Sequence, residues 1–190
     1  RNDFHVSRLS ARLLLLLALL LASPGGLQAK ATDADTLRVL AIGNSFSQDA
    51  VEQYLHELGK SEGYIMIIGN MYIGGCSLER HVKNIRNNTP AYAYRKVDKN
   101  GERVEIREMT IEKALDDEPW DYVSLQQASP VSGIYETYKA SLPELVDYVK
   151  PRVSKKTVLM MHQTWAYAGN STHSGFKNYN SSQVKMYTDI

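Results

Sequence analysis

The residues best placed to do chemistry sit at the end of one apolar run. Leu37-Arg38-Val39-Leu40-Ala41-Ile42 leads into Gly43-Asn44-Ser45-Phe46-Ser47, and a helical pattern from Asp49 to Leu58 follows at once. A serine at the carboxyl end of a buried strand is held by rigid backbone, and the amides that open the next helix favour developing negative charge. Such a hydroxyl suits nucleophilic attack. The same residues also suit a plain helix cap, with Ser45 or Ser47 accepting from an amide of the first turn. Gly74-Gly75 closes a second apolar run, Gln126-Gln127 a third and His162 a fourth. A tetrahedral oxyanion needs preorganised N–H donors, which a glycine amide and a glutamine side chain can supply. The plainer uses of these residues are a turn with positive φ and hydrogen bonds to backbone at a strand end.

The surrounding elements decide whether these groups can meet. Strand-length apolar runs cover Tyr64 to Met71, Asp121 to Leu125 and Thr157 to Met161; helical patterns cover Leu78 to Ile85, Thr110 to Leu115, Tyr135 to Val149 (with Pro143 a local weakness) and Ser182 to Ile190. Tyr92 to Val97 and Val104 to Met109 flank Asp98-Lys99-Asn100-Gly101, a hairpin turn signal. Alternating strands and helices predict a three-layer α/β/α, flavodoxin-like fold on a parallel sheet, with the hairpin as an insertion. In such sheets ligands bind beyond the carboxyl ends of the strands. Ser45, Gly74-Gly75, Gln126 and His162 are therefore expected on one edge.

The first residues read differently. Arg1, Arg8 and Arg12 precede the apolar stretch Leu13 to Leu21, which is followed by Pro24-Gly25-Gly26 and then Ala29-Lys30-Ala31. A basic region, a short apolar core and small residues make a secretory signal peptide over 1–31, cleaved after Ala29 or Ala31, and imply a secreted or periplasmic protein. The core falls short of the ~20 residues of a membrane span. Residues 32–190 form one domain by length. Charge is nearly balanced, with 22 Lys+Arg against 21 Asp+Glu. No basic block points to nucleic acid. Cys76 is the one cysteine, so no internal disulfide is available. No His, Cys or carboxylate cluster has metal-site spacing, and no cofactor is expected.

With these motifs in order, the chain resembles the SGNH (GDSL-like) hydrolases over Leu37 to Ile190. Gly43-Asn44-Ser45-Phe46-Ser47 stands where that family has Gly-Asp-Ser, Gly74-Gly75 where it has an oxyanion glycine, and Leu125-Gln126-Gln127-Ala128-Ser129 in place of its asparagine block. The glutamine version is similar to that of sialate and xylan acetylesterases. Together with Trp165-Ala166-Tyr167-Ala168, these blocks most resemble a bacterial branch catalogued largely as a domain of unknown function. The resemblance implies a serine esterase acting on a small-molecule or carbohydrate ester. Ser45 would be the nucleophile, and Gly75 and Gln126 oxyanion donors. Asn44, Gln127, His162, Trp165 and His173 would face substrate.

The family's Asp-x-x-His block, which supplies the catalytic base, has no counterpart after Gln126. The expectation is that the C-terminal part of the domain is missing and that the fragment alone is inactive. His56 and His81 are expected on helix surfaces; His162 and His173 lie on the catalytic edge. Three other classes compete: a phosphate- or flavin-binding domain, a cysteine enzyme using Cys76, and a non-catalytic sugar-binding module with Trp165, Tyr167 and Tyr135 as stacking platforms. Oligomeric state is not legible.

Overall fold

The computed structural model describes residues 35–190; the segment read as a signal peptide lies outside the described residues. Six strands form one sheet: β1 (Thr36–Gly43), β2 (Ile65–Tyr72), β3 (Tyr92–Val97), β4 (Arg103–Met109), β5 (Tyr122–Gln126) and β6 (Val158–His162). Their order is β4-β3-β2-β1-β5-β6. β1 pairs in parallel with β2, Thr36 opposite Ile65 through Gly43 opposite Tyr72, and with β5, Val39 opposite Tyr122 through Ile42 opposite Leu125. β6 continues the parallel set, with Gln126 opposite His162. The carboxyl ends of these four strands therefore share one edge.

The hairpin is more than an insertion. β3 pairs antiparallel with β2, and β4 with β3, so the sheet is mixed and six-stranded. Its turn follows the sequence: Gly101 takes φ +87°, and Asp98 Oδ1 accepts from the amides of Asn100 at 2.8 Å and Glu102 at 2.9 Å. Those bonds hold the Asp98 carboxyl below the usual carboxylate range. Tyr92 and Tyr94 explain the recruitment of β3. Both rings are buried against the sheet, and an apolar strand face of that size needs a sheet to pack on.

Helices cover both faces. On one side α3 (Leu78–Arg86), α4 (Ile111–Asp117) and α5 (Tyr135–Val149) bury Leu78, Val82, Ile111, Leu115 and Leu145 against Leu40, Ile42, Val123 and Leu125. On the other side Val51 and Leu55 pack on Val39, Ala41, Met66 and Ile68. β1 is buried on both faces from Val39 to Ile42, which is why it reads as a continuous apolar run without alternation. Ser77, Thr110 and Ser182 cap α3, α4 and α6 (Gln183–Asp189) with side-chain oxygens. Among the described residues no helix is long and apolar enough to cross a membrane.

One element departs from expectation. The pattern after Ser45 predicts a continuous helix from Asp49 to Leu58. The chain instead makes a short turn, α1 (Ser45–Ser47), a π-helical stretch Gln48–Glu52, and a separate α2 (Leu55–Ser61). Asn70 on β2 accounts for it. Its Oδ1 accepts from Ser47 Oγ at 2.9 Å, and its Nδ2 donates to Glu52 Oε1. One amide thus grips two residues five apart, which is the π repeat. A turn this short carries little of the aligned dipole that the sequence reading invoked at Ser45.

Candidate active site

Ser45 stands exposed just past the end of central strand β1. Its hydroxyl forms no hydrogen bond with any described residue. Ser47 is its opposite: fully buried, its single hydroxyl proton shared between the Asn44 carbonyl at 2.7 Å and Asn70 Oδ1 at 2.9 Å. The two serines, interchangeable in the sequence, are separated by burial into a free hydroxyl and a structural one. Gly43 is required by close packing. A Cβ there would lie 2.4 Å from Gln126 Oε1 and 2.7 Å from Ser47 Oγ.

Asn44 ties the strand ends together. It is 1% exposed. Its Oδ1 accepts from the Phe46 amide at 3.2 Å, while Nδ2 donates to the carbonyls of Cys76 at 2.9 Å and Gln127 at 3.4 Å. One side chain therefore fixes the Ser45 turn, the loop after β2 and the loop after β5 to one another. The loop after β2 carries the exposed Gly74 and Gly75, the latter at φ +62°. Neither glycine amide donates to a described residue. That leaves two unspent donors on the loop bonded to the residue before Ser45.

The two glutamines differ in what remains of their bonding capacity. Gln126 Oε1 accepts from the Asn44 amide at 3.3 Å, which orients the side chain, and Nε2 is buried with no partner. Gln127 is spent: Oε1 accepts from Leu78 and Ala128 amides at 3.0 and 2.8 Å, and Nε2 donates to Thr137 Oγ1 at 3.0 Å. The sequence reading set Asn44 and Gln127 facing substrate. The structure buries both and commits their amides to scaffolding, because loop backbone groups next to a strand edge must be paired.

Aromatic residues border the serine. Trp165, half exposed, packs its ring 4.3 Å from that of Phe46, the residue after Ser45. Tyr167 shares a 2.7 Å hydrogen bond with Ser129 and stacks on His173 at 4.7 Å. His173 Nδ1 accepts from the Gly175 amide, which fixes the ring. His162 lies opposite Gln126 in register but lines a different cleft of about 380 Å³ with Tyr135, Tyr138, Leu142 and Met161. Partial burial draws its pKa below the usual histidine value. Tyr135 is exposed there, under the Lys139 ammonium, in a cleft whose lining includes neither Trp165 nor Tyr167.

The remaining histidines correct the sequence reading. His56 and His81 are buried, not on the surface. His81 Nδ1 lies 2.8 Å from Tyr92 Oη and 3.5 Å from Cys76 Sγ, and Nε2 has no partner. Burial first, then the Arg80 charge, pulls His81 down to about 3. Burial pushes the Cys76 thiol up to about 12. Both groups are neutral near pH 7, and Cys76 is fully buried. Neither the thiolate nor the access that a cysteine enzyme needs is present. The helical repeat carries the signal for His81, which lies three residues after Leu78 on the stripe that Val82 and Ile85 turn to the sheet. Among the described residues no group of three His, Cys, Asp or Glu could hold a metal ion.

The comparisons with known proteins agree with this architecture. A protein from Slackia heliotrinireducens, named as a candidate SGNH hydrolase, is 19% identical with a TM-score of 0.50 over 81% of this chain and 69% of that one, a likeness of fold. A crystal structure of a DUF4886 family protein from Bacteroides uniformis is 75% identical with a TM-score of 0.81, covering 82% of this chain. The present chain spans about 60% of that relative's length. No curated protein matches. Residues 38–190, which hold Ser45 and every element that positions it, match the family model "Domain of unknown function (DUF4886)", and the chain belongs to that family.

Proposed function

We propose that this protein is a serine hydrolase of the SGNH type that removes an O-acyl group, such as acetyl, from a carbohydrate or similar small ester. One observation carries the reading: Ser45 offers an unengaged hydroxyl, and Asn44, the residue before it, bonds the loop that carries the unspent amides of Gly74 and Gly75. In the reaction, Ser45 Oγ attacks the acyl carbonyl carbon and gives its proton to a base. The resulting oxyanion takes hydrogen bonds from the Ser45 and Gly75 amides and from the unspent Nε2 of Gln126. Collapse expels the alcohol, and water releases the acyl group from Ser45. No described histidine hydrogen-bonds Ser45, so the base is assigned to none of them. The Arg-rich, apolar, Ala-x-Ala opening of the chain supports export as the setting of this activity.

The test is labelling of the full-length protein with a serine-directed fluorophosphonate, followed by peptide mapping. Modification at Ser45, together with loss of acetyl ester turnover in Ser45→Ala, is expected. Modification elsewhere, or unchanged turnover in that variant, overturns the reading. A second reading has its own observation. The exposed Trp165 ring on Phe46 suits a sugar-binding module, which would bind carbohydrate without labelling or turnover.

A further inference from the structure

A groove of about 780 Å³ runs between α3 and α5. Its head adjoins the candidate active site. Ser77 and Gln127 both line it; Ser77 follows Gly75 by two residues, and the Gln127 carbonyl accepts from the Asn44 side chain. Its buried floor is Val82 and Ser141, with the small Ala140 at the exposed rim. The charges along it are unequal. Arg86 is neutralised by a two-pronged bond to Glu144 at 2.7 and 2.5 Å. Arg80 and Lys83, one helical turn apart on α3, line the groove and have no carboxylate within salt-bridge distance among the described residues. Glu79 is the one acid in the lining. The groove is net cationic, in a chain whose overall charge is only +1.

We infer that this groove receives the acidic part of the substrate, a sugar carboxylate that pairs with Arg80 and Lys83 while its ester reaches Ser45. The inference rests on the reading of Ser45 as nucleophile. Arg80 lies in the first turn of α3, where its backbone amide donates to Ser77 Oγ, so its side chain starts within about 5 Å along the helix of the loop carrying Gly75. A guanidinium presents the fork that a carboxylate fits. Two cations opposed by Glu79 balance a monoanion better than a phosphate dianion. Small residues on the floor leave room for a sugar ring.

The experiment compares three acetyl esters on the full-length protein: an O-acetylated methyl glucuronoside, the matching methyl glucoside, and its sugar 6-phosphate. Exposed charge pairs are individually weak, so two of them should favour the glucuronoside over the glucoside by about tenfold in kcat/KM at low salt. The preference should fall towards unity in ~1 M salt, where the screening length is ~3 Å. Arg80→Gln with Lys83→Gln should cut the glucuronoside-to-glucoside ratio by the same factor, mostly through KM, with the thermal melt showing the fold retained. Equal use of both esters overturns this inference and leaves the hydrolase intact. A preference for the phosphate overturns the carboxylate assignment. Calorimetry with unacetylated methyl glucuronoside separates the two claims. Binding that the double variant loses, with no ester hydrolysed, upholds the cationic groove as a carboxylate site and removes the hydrolase; neither binding nor hydrolysis overturns both.

Discussion

Asn44→Asp exchanges one atom type at the centre of the site. In the native protein Asn44 Nδ2 donates to the Cys76 and Gln127 carbonyls, and Oδ1 accepts from Phe46. An ionised carboxylate keeps the last bond, loses both donors and sets negative charge against two carbonyl oxygens at a position 1% exposed. The 2.9 Å bond to Cys76 is the good one; leaving such a buried acceptor unsatisfied costs about 1–3 kcal/mol. The 3.4 Å contact is weaker, and charge repulsion adds to the loss. A destabilisation of about 3 kcal/mol at pH 8 is expected. The sign with pH follows from the environment. Burial and facing carbonyls raise the folded-state pKa of the introduced carboxyl above its unfolded value of about 3.9, because the protonated form can again donate to Cys76. The variant's deficit should therefore be smallest at low pH and grow as pH rises through that folded pKa. Urea unfolding of both proteins at several values between about pH 5 and pH 8, taken as differences in stability, measures it. A deficit under 1 kcal/mol, or one that does not grow with pH, would refute the assignment of Asn44 as a neutral bracket.

Two further substitutions separate neighbours that look alike in sequence. Ser47→Ala removes the one buried hydroxyl donor that Asn44 and Asn70 share and should cost about 1–3 kcal/mol while Ser45 stays labelled; Ser45→Ala, at an exposed and unbonded hydroxyl, should shift stability by no more than about 0.5 kcal/mol. Paired denaturation and labelling curves check both. Gln126→Glu keeps the acceptor for the Asn44 amide but deletes the unpaired donor, so turnover should fall by roughly 100-fold or more with little change in KM. Gln127→Glu should act on stability instead, through its bond to Thr137. Steady-state kinetics showing the reverse order would move the donor to Gln127.

Much of the scaffold is legible without coordinates because it rests on local patterns. The β3–β4 turn follows from Asp98-Lys99-Asn100-Gly101, whose side chain and glycine dictate the bend. β1 reads as a strand buried on both faces from its unbroken apolar run. α5 appears from Tyr135 to Val149 as the periodicity predicts, Pro143 included. The placing of Ser45, Gly74-Gly75 and Gln126 on one sheet edge follows from parallel topology alone.

What each side chain does there is a different matter, decided by partners far away in the chain. Asn44 meets Cys76 across 32 residues and Gln127 across 83. Asn70, on another strand, widens the helix after Ser45 by holding Ser47 and Glu52 together. The same logic sets His81 against Tyr92, leaves Gln126 with a spare donor while Gln127 has none, and opens a cationic groove between two helices separated by three strands and α4. Sequence patterns report which residues face a core, because burial follows the helical and strand repeats. Hydrogen bonds are directional and saturable, so which polar groups remain unspent, and thus available for chemistry, was determined only when the tertiary structure set donors and acceptors within bonding distance.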